Sequence, residues 1–258
     1  MAQNNNSNNS TIVLEKQRSL TPSSTEEVRT IGISECEQAA QCLAEAFAVD
    51  EVSRYFVDTP DMAHESEAAK YKLHHNIMRY LTAAHCFKGT VTTIGPDYDA
   101  VALWIQPGGD MDDWLTFFRS GLWRLYYQLS KEGRARFFTE FFPLLHDTKH
   151  SVMGARDPDS YYLVYLGSKP GARGKGYARK LIEHMTDKAD LENRATYLES
   201  SAHGNLTYYE KYGFTHVSDI QIERGIEPIK LHIMIREPVN QAGSSKGKGG
   251  ENVGVRSL

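Results

Sequence analysis

The sequence predicts an α/β protein, with a mixed sheet of about six or seven strands flanked by helices. Three observations predict it. Residues 161–190 read as a buried strand (161–167), a turn holding Pro170 and Gly171, and a helix with Ala178, Leu181, Ile182, Met185 and Ala189 at helical spacing. Residues 89–94 and 100–105 read as two strands joined by a Gly-Pro-Asp turn, which makes a hairpin. Further strands, at 195–200, 214–222 and 229–235, follow the helix.

The remaining elements take their places around these. Residues 1–26 are polar and rich in Asn, Ser and Thr. They bury too little apolar area to offset chain entropy and are expected to be disordered. A strand is expected over 28–33. Ser34 is expected to cap a helix that carries Cys36, Ala39, Ala40, Leu43, Ala44 and Phe47 on one side. That helix ends near Asp50, Glu51 to Phe56 follow, and Pro60 and Asp61 mark a turn. A long helix is then expected over 62–84. After the hairpin, Trp114, Leu115, Phe117, Phe118, Leu122, Trp123, Leu125 and Tyr126 recur at helical spacing, and a second helix is expected over 131–142, stopping before Pro143. An aromatic stripe of this kind is expected chiefly as core, with one edge free to wall a pocket. A short helix over 205–212 is expected to close at Gly213. The organisation predicted is a tail (1–26), one domain (27–238) with a helical insertion at about 111–150, and a second disordered tail (239–258) rich in Gly, Ser, Lys and Asn.

Composition bounds the function. Of 258 residues, 40% are hydrophobic, enough for a real core, and the formal net charge is -4, which disfavours non-specific nucleic-acid binding. Cys36, Cys42 and Cys86 are an odd, low count without metal spacing, which points to reduced thiols in a cytoplasmic protein. No apolar run approaches the length of a membrane span, and the first ten residues lack the cationic lead and apolar core of a signal peptide. The final Arg-Ser-Leu differs from the Ser-Lys-Leu peroxisomal address. His74, His75, His146 and His150 form no ligand set and are expected as surface or helix histidines; no metal is expected.

The unit at 161–190 suits a phosphate anion. The free N–H groups of a helix's first turn point outward, and the dipole adds roughly half a positive charge there. Gly174 and Gly176 permit close backbone approach, and Arg173, Lys175, Arg179 and Lys180 add charge. Neither the G-x-G-x-x-G dinucleotide pattern nor the G-x-x-x-x-G-K-[ST] loop fits. The pattern present is Arg-x-x-Gly-x-Ala, at Arg173, Gly176 and Ala178.

That pattern resembles the pyrophosphate-binding signature of the GNAT superfamily of N-acetyltransferases. A second signature, Tyr208-Tyr209-Glu210-Lys211-Tyr212-Gly213-Phe214, resembles the family's Tyr-Glu-x-x-Gly-Phe segment and falls in the right order. Residues 198–202 with Asn205, Leu206, Tyr209 and Glu210, together with residues 43–47 and 100–104, are similar to the puromycin N-acetyltransferase branch. The likeness spans about 28–236 and is patchy between 110 and 155, where an acceptor would bind. Many relatives carry an Asn seven residues before the Tyr, where this chain has Ala202; Asn205 fits the puromycin-type spacing.

The resemblance implies the GNAT fold, with central parallel strands that splay apart, and acetyl-CoA as co-substrate. It implies direct transfer of an acetyl group to the amine of a small molecule, such as a xenobiotic, an antibiotic or a secondary metabolite. It further implies that backbone groups of Leu166, Gly167 and Ser168 hold the pantetheine arm. Arg173, Gly174, Lys175, Gly176, Tyr177, Ala178 and Arg179 would hold the pyrophosphate, and Asn205 would bond the cofactor or cap its own helix. Such a transfer needs a base for the amine and a donor for the leaving thiolate. Glu199, a carboxylate in an apolar strand, is the candidate base; Tyr209 is the candidate acid. The alternatives are a protein or peptide acceptor, or a non-catalytic acyl-CoA sensor. The protein is expected to work as a monomer or homodimer, without nucleic-acid or membrane partners.

Overall fold

In the computed structural model the described residues are 26–109, 111 and 113–239. The tails expected at 1–26 and 239–258 fall outside them, except for Glu26 and Val239. Seven strands form one sheet, in the order β1 (Arg29–Ile31), β2 (Thr90–Ile94), β3 (Ala100–Ile105), β4 (Tyr161–Ser168), β5 (Thr196–Ser200), β7 (Ile229–Arg236), β6 (Phe214–Ile222). All neighbours pair antiparallel except β4 and β5. This is the mixed, helix-flanked α/β sheet that the sequence predicts.

Helices cover both faces. Helix α1 (Cys36–Ala46), α2 (Glu51–Val57) and α3 (Glu67–Lys88) pack Leu43, Phe56 and Ile77 against Val91, Val101 and Leu103 on one face. Asp50 caps α2 by accepting from the Ser53 amide at 3.0 Å. The helical segment between β3 and β4 holds α4 (Trp114–Ser120), α5 (Leu125–Gln128), α6 (Lys131–Arg134), a π-wound turn (Ala135–Phe141) and α7 (Phe142–Met153). On the other face α8 (Tyr177–Leu191) sets Leu181, Ile182 and Met185 on Ala102, Trp104, Leu163 and Met234. The short α9 (Leu206–Glu210) completes that side; Gly213, at φ +84°, turns the chain back into β6. Asp190 of α8 and Arg236 of β7 form a two-pronged, nearly buried ion pair with both N–O distances 2.6 Å.

Several boundaries differ from expectation, each for a local reason. Ser34 does not cap α1. It sits inside a 3-10 turn (Ile33–Glu35), and Glu35 occupies the cap position while its carboxylate accepts from Tyr98 at 2.7 Å. Helix α3 starts after Ser66, whose hydroxyl accepts from the Ala69 amide, and not at Met62, which ends a separate 3-10 turn. Pro143 does not end the helix. It lies in the first turn of α7, where its missing N–H costs little, and the wider π winding before it makes room for the ring. The aromatic stripe is only half core: Leu122, Leu125 and Phe137 are buried, whereas Trp114, Phe118, Tyr126 and Tyr127 are exposed.

One irregularity in register shapes everything near the centre. Leu103 of β3 pairs with Tyr165 and Trp104 with Leu163, so Val164 is an extra, bulged residue in β4. On the other side of β4, pairing with β5 runs Tyr161–Thr196, Tyr162–Tyr197, Leu163–Leu198 and ends there. A bulge bends and twists its strand; here it directs β4 away from β5 at the residue where their ladder stops. It also switches the alternation, so Tyr165 contacts the α1 side while Leu163, two residues earlier, contacts the α8 side.

No helix among the described residues is long and apolar enough to cross a membrane. Cys36, Cys42 and Cys86 are free thiols. Beyond the bulge, a Cβ on Gly167 would lie 2.8 Å from Ala46 Cβ and 3.0 Å from the Phe47 ring, so glycine here is the condition for α1 to seat on β4. Gly167→Ala should therefore destabilise the protein by about 1–3 kcal/mol through overpacking, measured as a lower urea midpoint at unchanged slope.

Candidate active site

Where β4 and β5 part, a cavity of about 680 Å³ opens through the sheet. Its walls include main chain and side chains of 162–166 and 198–201, Asn205 and Tyr209 on one side, and the π turn and α7 on the other. Phe47, Phe137, Phe138, Phe141, Phe142, Tyr162 and Tyr165 make it strongly aromatic. Asp50, Glu199, Lys149 and Asp157 supply charge.

Glu199 reaches this cavity because strand alternation sends Leu198 toward α8 and Tyr197 and Glu199 to the opposite face. That opposite face would be open to water on a bare sheet. Instead Val152 and Met153, at the end of α7, pack with Tyr197 and Tyr162 and close it. Glu199 Oε1 is buried without a hydrogen-bond partner among the described residues. Burial raises its pKa to about 7, against the opposing pull of the Tyr162 and Tyr197 phenols and, more weakly, of the Lys149 ammonium. A carboxylate poised near neutrality and facing a cavity is what a general base requires.

Tyr209, from α9, lines the same cavity and packs its ring edge-on against Phe214 and Tyr208, at 5.8 Å from each. Burial alone raises its pKa to about 12, so it is a neutral hydroxyl donor across the physiological range. Its hydroxyl makes no hydrogen bond to another described residue. Tyr165, also on the wall, is pushed above the usual phenol range by burial and by the nearby Asp50 and Glu199 carboxylates.

The other expected residues divide into two groups. Leu166 and Asn205 line the cavity; Gly167 and Ser168 do not. Asn205 does not cap α9 with its side chain, contrary to the capping role considered for it, so its amide is left for the cavity. The glycine turn lies outside the cavity on the surface. Gly174 and Gly176 take φ +82° and +77°, with open space where a Cβ would stand. Gly176 is the left-handed cap of α8, so the amides of Tyr177, Ala178 and Arg179 lack intrahelical acceptors. Those features fit a diphosphate lying on the turn. Two side chains depart from expectation: Tyr177 is buried in the core beside Ala172 and Leu181, leaving only its amide for a ligand, and Arg173 donates to the Ala46 carbonyl at 3.3 Å.

Sequence reasoning missed several wall residues. Asp50, expected near the end of the first helix, instead caps the start of α2, while α1 stops at Ala46; its second carboxylate oxygen accepts from the Ser201 hydroxyl at 2.6 Å and so ties α2 to the end of β5. Lys149 pairs with Asp157 and stands 5.8 and 6.0 Å from the ring centres of Tyr162 and Tyr197. No spacing pattern marks it. His146 lines the cavity as well, and His74, expected on a surface or helix, is a buried helix residue bonded to the Ala44 carbonyl at 3.0 Å.

A mixed sheet whose parallel pair parts over a cavity, beside a glycine turn that starts a helix, is the arrangement that the GNAT resemblance implies. Comparison with known proteins gives the family. Residues 140–234 match the acetyltransferase (GNAT) domain. An uncharacterised N-acetyltransferase of Schizosaccharomyces pombe is 43% identical over 206 residues, 80% of this chain and 81% of its own. Two solved structures share the fold at lower identity. A polyamine N-acetyltransferase of Drosophila melanogaster that forms N-acetylagmatine matches at 14% identity and TM-score 0.52, covering 81% of this chain and 98% of its own. Arylalkylamine N-acetyltransferase 2 of Aedes aegypti matches at 19% and TM-score 0.52, covering 82% and 98%. The chain belongs to the GNAT family and is an N-acetyltransferase.

The Glu199 environment carries a sign that stability measurements read. Its folded pKa, about 7, lies above the ordinary 4.5, so ionisation is resisted by the fold. Its stabilising contribution is complete below about 4.5 and is lost as pH rises through 7. Relative to Glu199→Gln, the parent should lose on the order of 3 kcal/mol across that window, measured by urea unfolding at pH 5 and pH 8.

Proposed function

We propose that this N-acetyltransferase moves the acetyl group of acetyl-CoA to the amine of a small molecule with an apolar or aromatic body. The observation that carries the reading is the pairing of a half-buried carboxylate with a pKa near 7, Glu199, with a half-buried phenol, Tyr209, on one aromatic cavity between diverging strands.

Acetyl-CoA supplies the acetyl group as a thioester. The turn at 173–179 holds its diphosphate through the amides of 177–179 and the charge of Lys175 and Arg179. Main-chain groups of Leu166, Gly167 and Ser168, which β5 leaves without a ladder partner, hold the pantetheine arm, with Asn205 beside it. Glu199 receives a proton from the acceptor ammonium and frees the lone pair that attacks the thioester carbonyl; as the C–S bond breaks, the second proton shed by the nitrogen passes to the leaving thiolate, giving the amide and the free thiol. The Tyr209 hydroxyl faces the departing sulfur. Because its pKa stands at about 12, above an ordinary thiol's value of about 8.5, it serves the developing thiolate chiefly as a hydrogen-bond donor. The aromatic wall, closed over by the π turn and α7, favours a compact amine over a long peptide. The amine substrates named for the insect neighbours, agmatine and arylalkylamines, point the same way.

Thiol release from acetyl-CoA should be followed with a panel of arylalkylamines, agmatine, puromycin-like aminonucleosides and short peptides. Turnover is expected with a small amine. Turnover confined to peptides would favour the protein-acceptor alternative, and tight acetyl-CoA binding with no release would mark a sensor.

With a working acceptor, the pH–rate profile should show an acidic limb near pH 7 that disappears in Glu199→Gln. Tyr209→Phe should lower kcat by about tenfold or more while acetyl-CoA affinity, read by calorimetry, stays within error.

A further inference from the structure

The edge hairpin made by β6 and β7 carries a cluster that acetyl transfer does not use. His216 and Asp219 are on β6, and His232 is on β7. Three residues apart on a regular strand, His216 and Asp219 would point to opposite faces. They share a face because β6 is bulged: His216 pairs with Met234, Ser218 with Ile233 and Asp219 with His232, which leaves Val217 as the extra residue. The bulge thus brings both side chains over His232.

The three ligand atoms lie within 4.8 Å of one another. Asp219 Oδ1 is 2.7 Å from His216 Nε2 and 2.7 Å from His232 Nδ1. The other carboxylate oxygen, Oδ2, is held 3.3 Å from Lys230 Nζ. The rings of His203 and His216 pack on the His232 ring, with centroids 5.2 and 5.7 Å away, and fix its orientation. His232 is nearly buried, with 8% of its side chain exposed, while His216 and Asp219 are open enough for an ion to enter.

We propose that His216, Asp219 and His232 bind a divalent transition-metal ion of the zinc class. Two imidazoles and one carboxylate are a common donor set for such an ion, with water in the fourth position. Tetrahedral ligands around zinc stand about 3.3 Å apart, so Oδ1 must back away from each nitrogen by about half an ångström. The exposed His216 and Asp219 side chains allow that by small rotations. Lys230 plays the outer partner of a ligating carboxylate, engaging Oδ2 and leaving Oδ1 to the ion.

His232 pairs with Ser200 of β5, and Ser200 lies on the cavity wall, so an ion here would clamp the sheet edge behind that wall. The test uses untagged full-length protein, stripped with chelator and titrated with zinc chloride by calorimetry, with thermal unfolding followed alongside. One zinc per chain, low-micromolar affinity and a higher Tm with zinc are expected. His216→Ala with Asp219→Asn, both at exposed positions, should weaken binding by more than about tenfold and abolish the Tm shift, with an unchanged circular dichroism spectrum. Absence of saturable binding up to millimolar zinc, or binding of undiminished strength in the double variant, overturns the assignment.

Discussion

The structure turns on a place where hydrogen bonding stops. β4 and β5 are the sheet's one parallel pair, and their ladder ends after Leu163 and Leu198. Beyond that point the two strands leave backbone groups that no neighbouring strand satisfies. Unpaired main-chain groups in a protein interior are costly unless something takes them up. A co-substrate with amide and carbonyl groups along its arm is such a partner. The bulge at Val164 produces the divergence by adding one residue to β4 on the side where it still pairs with β3.

The same divergence sets the electrostatics. Glu199 stands just past the last parallel pair, on the face away from α8. An acid there would ordinarily keep its usual pKa in contact with water. The helical segment between β3 and β4 changes that, because α7 packs Val152 and Met153 over Tyr162 and Tyr197 and shields the carboxylate from water among phenols. Desolvation then outweighs the phenols and Lys149, and the group sits near neutrality. That segment contributes by covering, and its aromatic residues form part of the cavity wall in doing so.

Among the described residues bulges fall at Val164 and Val217, and each gathers polar side chains or main chain at one point. The first lies over the cavity between β4 and β5. The second draws His216 and Asp219 onto His232. A strand of strict alternation could build neither arrangement, since neighbours an odd number of residues apart would face away from each other.

Much of this was legible in the residues. The strand, glycine turn and helix at 161–190, the hairpin at 89–105 and the later strands follow from apolar periodicity and turn chemistry, which act over a few residues. Gly174 and Gly176 take the positive φ that their place before a helix suggested. Glu199 and Tyr209 could be singled out as a carboxylate in an apolar strand and a tyrosine within a family-like segment. Packing decided the rest. Pro143 was absorbed by a π-wound turn, Tyr177 went to the core, and half the aromatic stripe stayed outside because α4 and α5 bury only one side. The depth of Glu199, the engagement of Asp50 with Ser201 and the end of the parallel ladder each depend on residues far apart in sequence meeting in space, from Leu163 with Leu198 to Asp50 with Ser201. Local sequence determines which conformation a segment prefers. Which group loses its water depends on what covers it, and that only the tertiary structure decided.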